Sequence, residues 1–262
     1  MISEVFQTTE IPGPAVLTEG ERFLVKSAEN PAEIRQAQRL RFRVFKEEQG
    51  RLDALTGDDC ESDVFDATCA HILIVDRKDG SVVGTCRLRA GSCIRKKEGF
   101  YSAREYRFSG LEPYVEKTVE LGRSCVAPEF RNGSAAALLW TGLAECRKRM
   151  AFNYMLGCAS LEHNDFPLAR ALFRKMTEKG LVTEAPRAVV RRGFRLPPGE
   201  TARDQDDRLL KTLPPLFKGY LRIGAKICGA PAFDREFGSI DFPVWFDFIN
   251  LPDKYCRHFK VP

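Results

Sequence analysis

The chain has 262 residues, 44% of them hydrophobic and 29% charged, with a net charge of +5. A chain of this size buries roughly 70–75% of its unfolded surface, and the composition excludes a disordered or fibrous protein. The charge suits an acidic partner or an anionic membrane surface met peripherally, and it does not require nucleic acid.

The first residues, MISEVFQTTEIPGP, lack the basic start and apolar run of a signal peptide. No apolar stretch approaches the ~20 residues of a membrane span. The expectation is a cytoplasmic protein, peripheral to a membrane at most. Nine cysteines without a C-x-x-C pair point to reduced thiols. Cys69 and His71 have no second ligand pair at a finger-like spacing, so no metal site is expected.

Residues 1–20, with Pro12 and Pro14, read as a flexible arm before a single domain over 21–262. ERFLVKSA (21–28) reads as a strand. Asn30-Pro31-Ala32-Glu33 has the cap, proline and acidic residue of a helix start, and Ile34, Ala37, Val44 and Phe45 give that helix an apolar face. An acidic loop follows. AHILIVD (70–76) and VVGTCRLR (82–89) form a hairpin around Asp79-Gly80. Residues 93–116 read as irregular or helical, TVELGRSCV as a strand, and SAAALLWTGLAECRKRM as a helix.

FNYMLGCASLE (152–162) is a further strand, and NDFPLARALFRKMTEKG a helix ended by Gly180. RAVVRRGFRL is strand-like and precedes a polar linker (198–213). Pro214-Pro215 opens a helix that closes near Gly229. SIDFPVWFDFINL is a last strand, placed at an edge by Pro243. The element order gives an α/β (α+β) fold in which helices cover a mixed central sheet.

Chemistry concentrates in ELGRSCVAPEFRNGSAAALLW, Glu120 to Trp140. A strand passing through a small-residue loop into a helix offers free backbone N–H groups and the positive end of a helix dipole, an anion site. The alternative is a plain tight turn capped by Ser134. Glu120 and Arg123 stand three apart, so a regular strand sends them to opposite faces. A bulge at Gly122 would bring them together, or each serves its own partner. Cys125 beside Glu120 suggests a thiol nucleophile, but His71, His163 and His258 form no catalytic pattern with it.

The loop Arg131-Asn132-Gly133-Ser134-Ala135 resembles the R/Q-x-x-G-x-G/A pantetheine-binding loop of the GNAT superfamily, and Asn164, Ala169, Leu172-Phe173 and Lys175 resemble its N…A…L-Y-x-K helix. RFRVF (41–45), DVFD (63–66), GTCR (84–87) and ELGR (120–123) occur in the order seen in acyl-homoserine-lactone synthases and in the related L-ornithine N-alpha-acyltransferases. The C-terminal part, from LPPLFKGYLRIGAKICGAPAF onward, is similar to the second branch. The resemblance to that branch covers about residues 20–260, with 198–262 as its own extension.

The resemblance implies a GNAT-like fold and transfer of a 3-hydroxy fatty acyl group from acyl carrier protein to the α-amine of ornithine. It implies no cofactor beyond the acyl thioester as co-substrate. Glu120 and Arg123 become the catalytic pair, with Glu120 as base. Cys125, Val126, Arg131, Asn132, Gly133, Ser134 and Ala135 become the acyl-pantetheine site, with an oxyanion donor near Cys125–Val126. Asp63, Asp66, Arg87 and Arg41 become substrate contacts, with loop-tying as the alternative for one of the two aspartates. The acidic run Asp58, Asp59, Glu61, Asp63 and Asp66 suggests a pocket for a second ammonium. Arg187, Arg191, Arg192 and Arg195 suit capture of an acidic carrier protein. The competing functions are N-acylation of another amino acid, lactone synthesis, and a non-catalytic acyl-carrier or membrane-binding module.

Overall fold

The computed structural model describes residues 8–47, 59–94, 99–131, 133–161, 164–202 and 207–250. The chain forms two compact units. One comprises Met1–Arg95, Leu121–Phe152 and Arg257–Pro262, the other Lys96–Glu120 and Asn153–Cys256.

In the first unit, β1 (Val16–Glu19), β2 (Phe23–Ser27), β3 (Ala70–Asp76), β4 (Val82–Ala90) and the C-terminal half of β6 (Thr118–Val126) lie side by side in that order. The β1–β2, β2–β3 and β3–β4 pairs are antiparallel. Strands β3 and β4 are buried almost without interruption along both faces, so the layer is covered on both sides. Helix α1 (Pro31–Phe42) packs on β3 and β4, and α2 (Ser134–Met150) on β1 and β2.

Asn30 caps α1 by accepting from the Glu33 N–H, and Glu33 in turn accepts from the Glu29 N–H. A wider, π-helical turn (Arg43–Glu47) continues α1, placing Val44 against Leu40, Cys125 and Ala127 in one buried cluster. Part of the expected flexible arm is ordered. Val16–Glu19 is the strand β1 with Leu17 buried, and Thr9 is buried, its N–H donating to the Thr68 carbonyl.

Gly142 lets α2 approach the sheet, since a Cβ there would stand 2.6 Å from Val25 Cγ1. Alanine gains about 1 kcal/mol over glycine in a helix interior, whereas overpacking costs about 1–3 kcal/mol. Gly142→Ala is therefore expected to destabilise the protein, read as a lower urea midpoint at unchanged m-value. A raised midpoint would show that α2 can shift to make room.

In the second unit the N-terminal half of β6, β7 (Tyr154–Leu161), β11 (Ser239–Asp247) and β10 (Ala232–Asp234) are neighbours in that order, with β9 (Lys226–Ile227) also on β11. A small antiparallel sheet pairs β5 (Tyr106–Ser109) with β8 (Arg187–Val190). Helix α3 (Phe166–Glu178) begins with Asp165 accepting from Leu168 N–H. Helix α4 (Pro215–Arg222) buries Phe217 and Tyr220.

Three expectations for this unit need correction. The stretch 93–116 contains the strand β5. Helix α4 stops at Arg222 instead of running to Gly229, because Gly224 takes a left-handed φ of 94° and the chain then extends into β9. Strand β11 is interior, although it contains Pro243. In an antiparallel ladder a residue directs its N–H and C=O to the same neighbour. The Pro243 carbonyl accepts from the Cys228 N–H, so its ring nitrogen faces the point where β9 ends before β10 begins. No ladder bond is lost there.

Candidate active site

Four of the residues expected to bind substrate or act in catalysis come together with Arg123 in the first unit. From α1, Arg41 offers Nη1 and Nη2 to the two Asp66 oxygens at 3.0 and 2.6 Å, and its Nε lies 2.6 Å from Glu61 Oε2. From β4, Arg87 donates to both Asp63 oxygens at 2.6 and 2.7 Å and to Asp66 Oδ1 at 2.6 Å. From β6, Arg123 donates to Glu61 Oε1 and Asp63 Oδ2, each at 3.0 Å. Three guanidiniums thus face three carboxylates. Arg41 is only 1% exposed.

Burial by itself would raise both aspartates. The Arg87 and Arg123 guanidiniums hold Asp63 below the usual carboxylate range, and Arg41 with Arg87 holds Asp66 well below it. Both Asp63 and Asp66 therefore tie the loop down, where the sequence suggested that role for only one of them. Glu61 belongs to the same network, a role not foreseen. Within the described part of the acidic run, Glu61, Asp63 and Asp66 are balanced by arginine. Asp58 lies outside the described residues.

Arg123 reaches this network because its own φ is +52°, in the left-handed region in the middle of β6. The irregularity that the sequence placed at Gly122 thus falls on its neighbour. Glu120, in the second unit, has different partners. Its two oxygens accept from Tyr101 N–H at 2.5 Å and Ser102 N–H at 2.8 Å, at the start of a short 3-10 turn (Tyr101–Arg104). The carboxylate is 5% exposed and held in orientation by two backbone donors.

Beyond β6 the chain makes a 3-10 turn (Pro128–Phe130). Arg131 then donates from Nε to the Val126 carbonyl at 2.9 Å, closing the loop on itself. Gly133, at φ 97°, is the residue preceding α2, and Ser134 is the first residue of the helix. Gly133, not Ser134, therefore occupies the cap position. Gly133 has no side chain to cap the first N–H groups of the 17-residue helix, and such groups at a helix start suit an anion. Asn132 lies outside the described residues, as does the side chain of Ser134.

Cys125 packs in the core, where burial pushes its thiol up to about 12. It is protonated at neutral pH and unsuited to be a nucleophile. His71 is a core residue, with Nε2 at 3.0 Å from the Asp66 carbonyl, and burial pushes its pKa down. His163 and His258 lie outside the described residues. No disulfide joins cysteines among the described residues.

Arg187 and Arg195 line a groove of about 1070 Å³ with Arg170, Arg174 and the segment Cys228–Pro231. Arg191 is committed elsewhere, its Nε donating to the Ala103 carbonyl at 2.8 Å.

A buried carboxylate fixed by backbone donors, on a strand that continues into a glycine-capped helix, fits an acyltransferase of the GNAT type. The acetyltransferase (GNAT) domain family model matches residues 40–141. The fold is similar to TofI, in a ternary complex with an inhibitor and MTA, with a TM-score of 0.51 and 17% identity over 92% of this chain and 97% of that one. It is also similar to the AHL synthase LasI, with a TM-score of 0.50 and 14% identity over 92% and 95%.

Among curated proteins, the L-ornithine N(alpha)-acyltransferase of Brucella abortus (strain 2308) is 35% identical, covering 90% of this chain and 88% of that protein. The protein of the same name from Agrobacterium fabrum (strain C58 / ATCC 33970) is 31% identical, over 88% and 83%. The chain belongs to the L-ornithine N(alpha)-acyltransferase family.

Proposed function

We propose that the protein moves a fatty acyl group, 3-hydroxylated in the expected donor, from the thioester of acyl carrier protein to the α-amine of L-ornithine, giving a lyso-ornithine lipid. The observation that carries this reading is the near full-length similarity to relatives of that name, together with a buried Glu120 carboxylate oriented for proton transfer. The α-amine arrives as an ammonium and must lose a proton before it attacks the thioester carbon. Glu120 takes that proton, directly or through one water. A backbone N–H near Cys125–Val126 stabilises the oxyanion, and the N–C bond forms as the C–S bond breaks, so the pantetheine thiol leaves with a proton. No acyl-enzyme is required.

In the same reading, the phosphopantetheine phosphate binds the first turn of α2, and Arg131 holds its loop in shape. Arg41, Arg87, Asp63 and Asp66 form the frame that holds Arg123. The direct experiment supplies purified protein with a 3-hydroxyacyl carrier protein and ornithine, and identifies the product by mass spectrometry. An N-acylornithine is expected. Product from the coenzyme A thioester alone would remove the carrier protein from the reading. A lactone formed from S-adenosylmethionine would replace the reading with lactone synthesis.

The carrier protein is acidic, and Arg187 and Arg195 present exposed charge along the groove. Reversing both to Glu is expected to raise KM for the acyl carrier protein about tenfold at low salt and far less at 0.5 M, because screening already weakens steering there. An equal loss at every ionic strength would place the effect elsewhere.

A further inference from the structure

The second unit contains a group of acids with the opposite character to the Arg41–Arg87–Arg123 network. Glu105, next to β5, is 1% exposed, and both of its carboxyl oxygens lack a hydrogen-bond partner among the described residues. Asp234, at the end of β10, and Asp241, in β11, are 4% and 6% exposed. One oxygen from each of the three residues lies within 4.8 Å of the others. Ser102, which holds Glu120 through its backbone N–H, keeps its own hydroxyl buried and without a hydrogen-bond partner among the described residues.

The surroundings add little positive charge. Arg104 faces the group but pairs with Glu236 at the surface, at 2.9 Å. Asp234 uses Oδ1 to accept from Glu236 and Phe237 N–H. The Tyr106 hydroxyl donates to the Asp241 backbone carbonyl at 2.7 Å, not to the carboxylates. Burial, then Asp241, Asp234 and Glu120, push the Glu105 carboxyl up to about 9. Water cannot solvate such a cluster from outside, and an unpartnered buried carboxyl costs stability.

We propose that Glu105, Asp234 and Asp241 form the pocket that holds the side-chain ammonium of the acceptor and so select for it. The assignment rests on the acyl-transfer reading above. An –NH3+ has three donors in tetrahedral directions. At N···O distances of about 2.9 Å its three acceptors stand about 4.7 Å apart, close to the 4.8 Å limit within which the three carboxylate oxygens lie. As the ammonium enters, Glu105 releases its proton to water and becomes the third anionic acceptor. The acidic loop of the first unit cannot do this without giving up an arginine. Glu120 is close enough to influence Glu105 electrostatically, which puts the proton acceptor for one amine near the anchor for the other.

The test gives purified wild type and Glu105→Gln one acyl donor with ornithine, lysine and norvaline, the last being ornithine without its side-chain amine. Wild type is expected to favour ornithine over norvaline by 10² or more in kcat/KM, since a site built to bond a polar group rejects the analogue that lacks it. In Glu105→Gln that ratio is expected to fall about 10- to 100-fold, through KM for ornithine rather than kcat. Equal acylation of ornithine and norvaline by wild type would overturn the pocket while leaving N-acyl transfer standing. Transfer to no amino acid would overturn the transfer reading and the pocket with it. Micromolar binding of Mg²⁺ or Mn²⁺ to wild type, competed by ornithine in calorimetry, would reassign the cluster to a metal.

Folding supplies an independent readout. A carboxyl with a raised folded-state pKa binds more protons folded than unfolded, so it removes stability as pH rises from about 4.5 towards about 9. The groups facing it are Asp241, Asp234, Glu120, Arg104 and the buried Cys158 and Tyr106. Free Glu105→Gln should match wild type in Tm at pH 5 and exceed it at pH 8. A lower Tm than wild type at both pH values would make Glu105 a structural residue and overturn the proposal.

Discussion

Glu120→Gln is expected to lower kcat by about 10²–10⁴, the scale of general acid–base assistance, at saturating acyl donor and pH 7.5. The amide is nearly isosteric, and its carbonyl can still accept one of the two N–H groups from Tyr101 and Ser102. The loss should therefore appear in kcat, with KM for the acyl donor little changed. Glu120→Asp keeps the carboxylate but retracts it by one methylene, and should fall between wild type and Gln. A Gln variant turning over at the wild-type rate would show that the amine loses its proton to bulk solvent.

The largest loss of stability is expected at Arg41. Arg41→Met leaves Asp66 and Glu61 buried without their principal cation, and breaking a buried pair in this way costs about 3–5 kcal/mol. Denaturant unfolding measures it. Adding Asp66→Asn to Arg41→Met should restore part of the loss, because it removes one of the stranded charges. Failure of the double variant to recover would mean that the methionine disrupts packing instead. The same pairs set the acid limit. Asp63 and Asp66 have depressed folded-state values, so their contribution is complete above about pH 4, the unfolded range, and is lost as pH falls further.

Regular elements with strong local signals were legible in the sequence. TVELGRSCV and SAAALLWTGLAECRKRM match β6 and α2 residue for residue, since each has one periodicity and a clear break at its end. Asn30 announced its helix by capping it. Strand β5 was hidden because four residues, YRFS, carry too little pattern, and its strand partner β8 lies some 80 residues away. Pro243 misled because a proline's cost depends on which neighbour its nitrogen faces, which is a property of the ladder.

The site divides in the same way. The four-part signature pointed to Arg41, Asp63, Asp66, Arg87 and Arg123, which do assemble. It could not show that they neutralise one another, because charge balance depends on three-dimensional pairing. Glu105, Asp234 and Asp241 carried no signal, since more than a hundred residues separate the first from the other two. An acid in the sequence YSAREYRF reads as surface charge until its burial is known.

Pro243 shapes more than its own strand. Its ring nitrogen has no hydrogen to offer, and it stands where the neighbour of β11 changes from β9 to β10. Cys228 stands at the fork, giving its N–H to the Pro243 carbonyl while its own carbonyl accepts the Ala188 N–H of β8. Gly229 comes so close to the Ala188 carbonyl that any side chain there would overlap it. The segment Cys228–Pro231 thereby becomes one wall of the arginine-lined groove. The same few residues thus close the interior ladder at Pro243 and form the contour of the groove, so a change at this fork would be felt in both places.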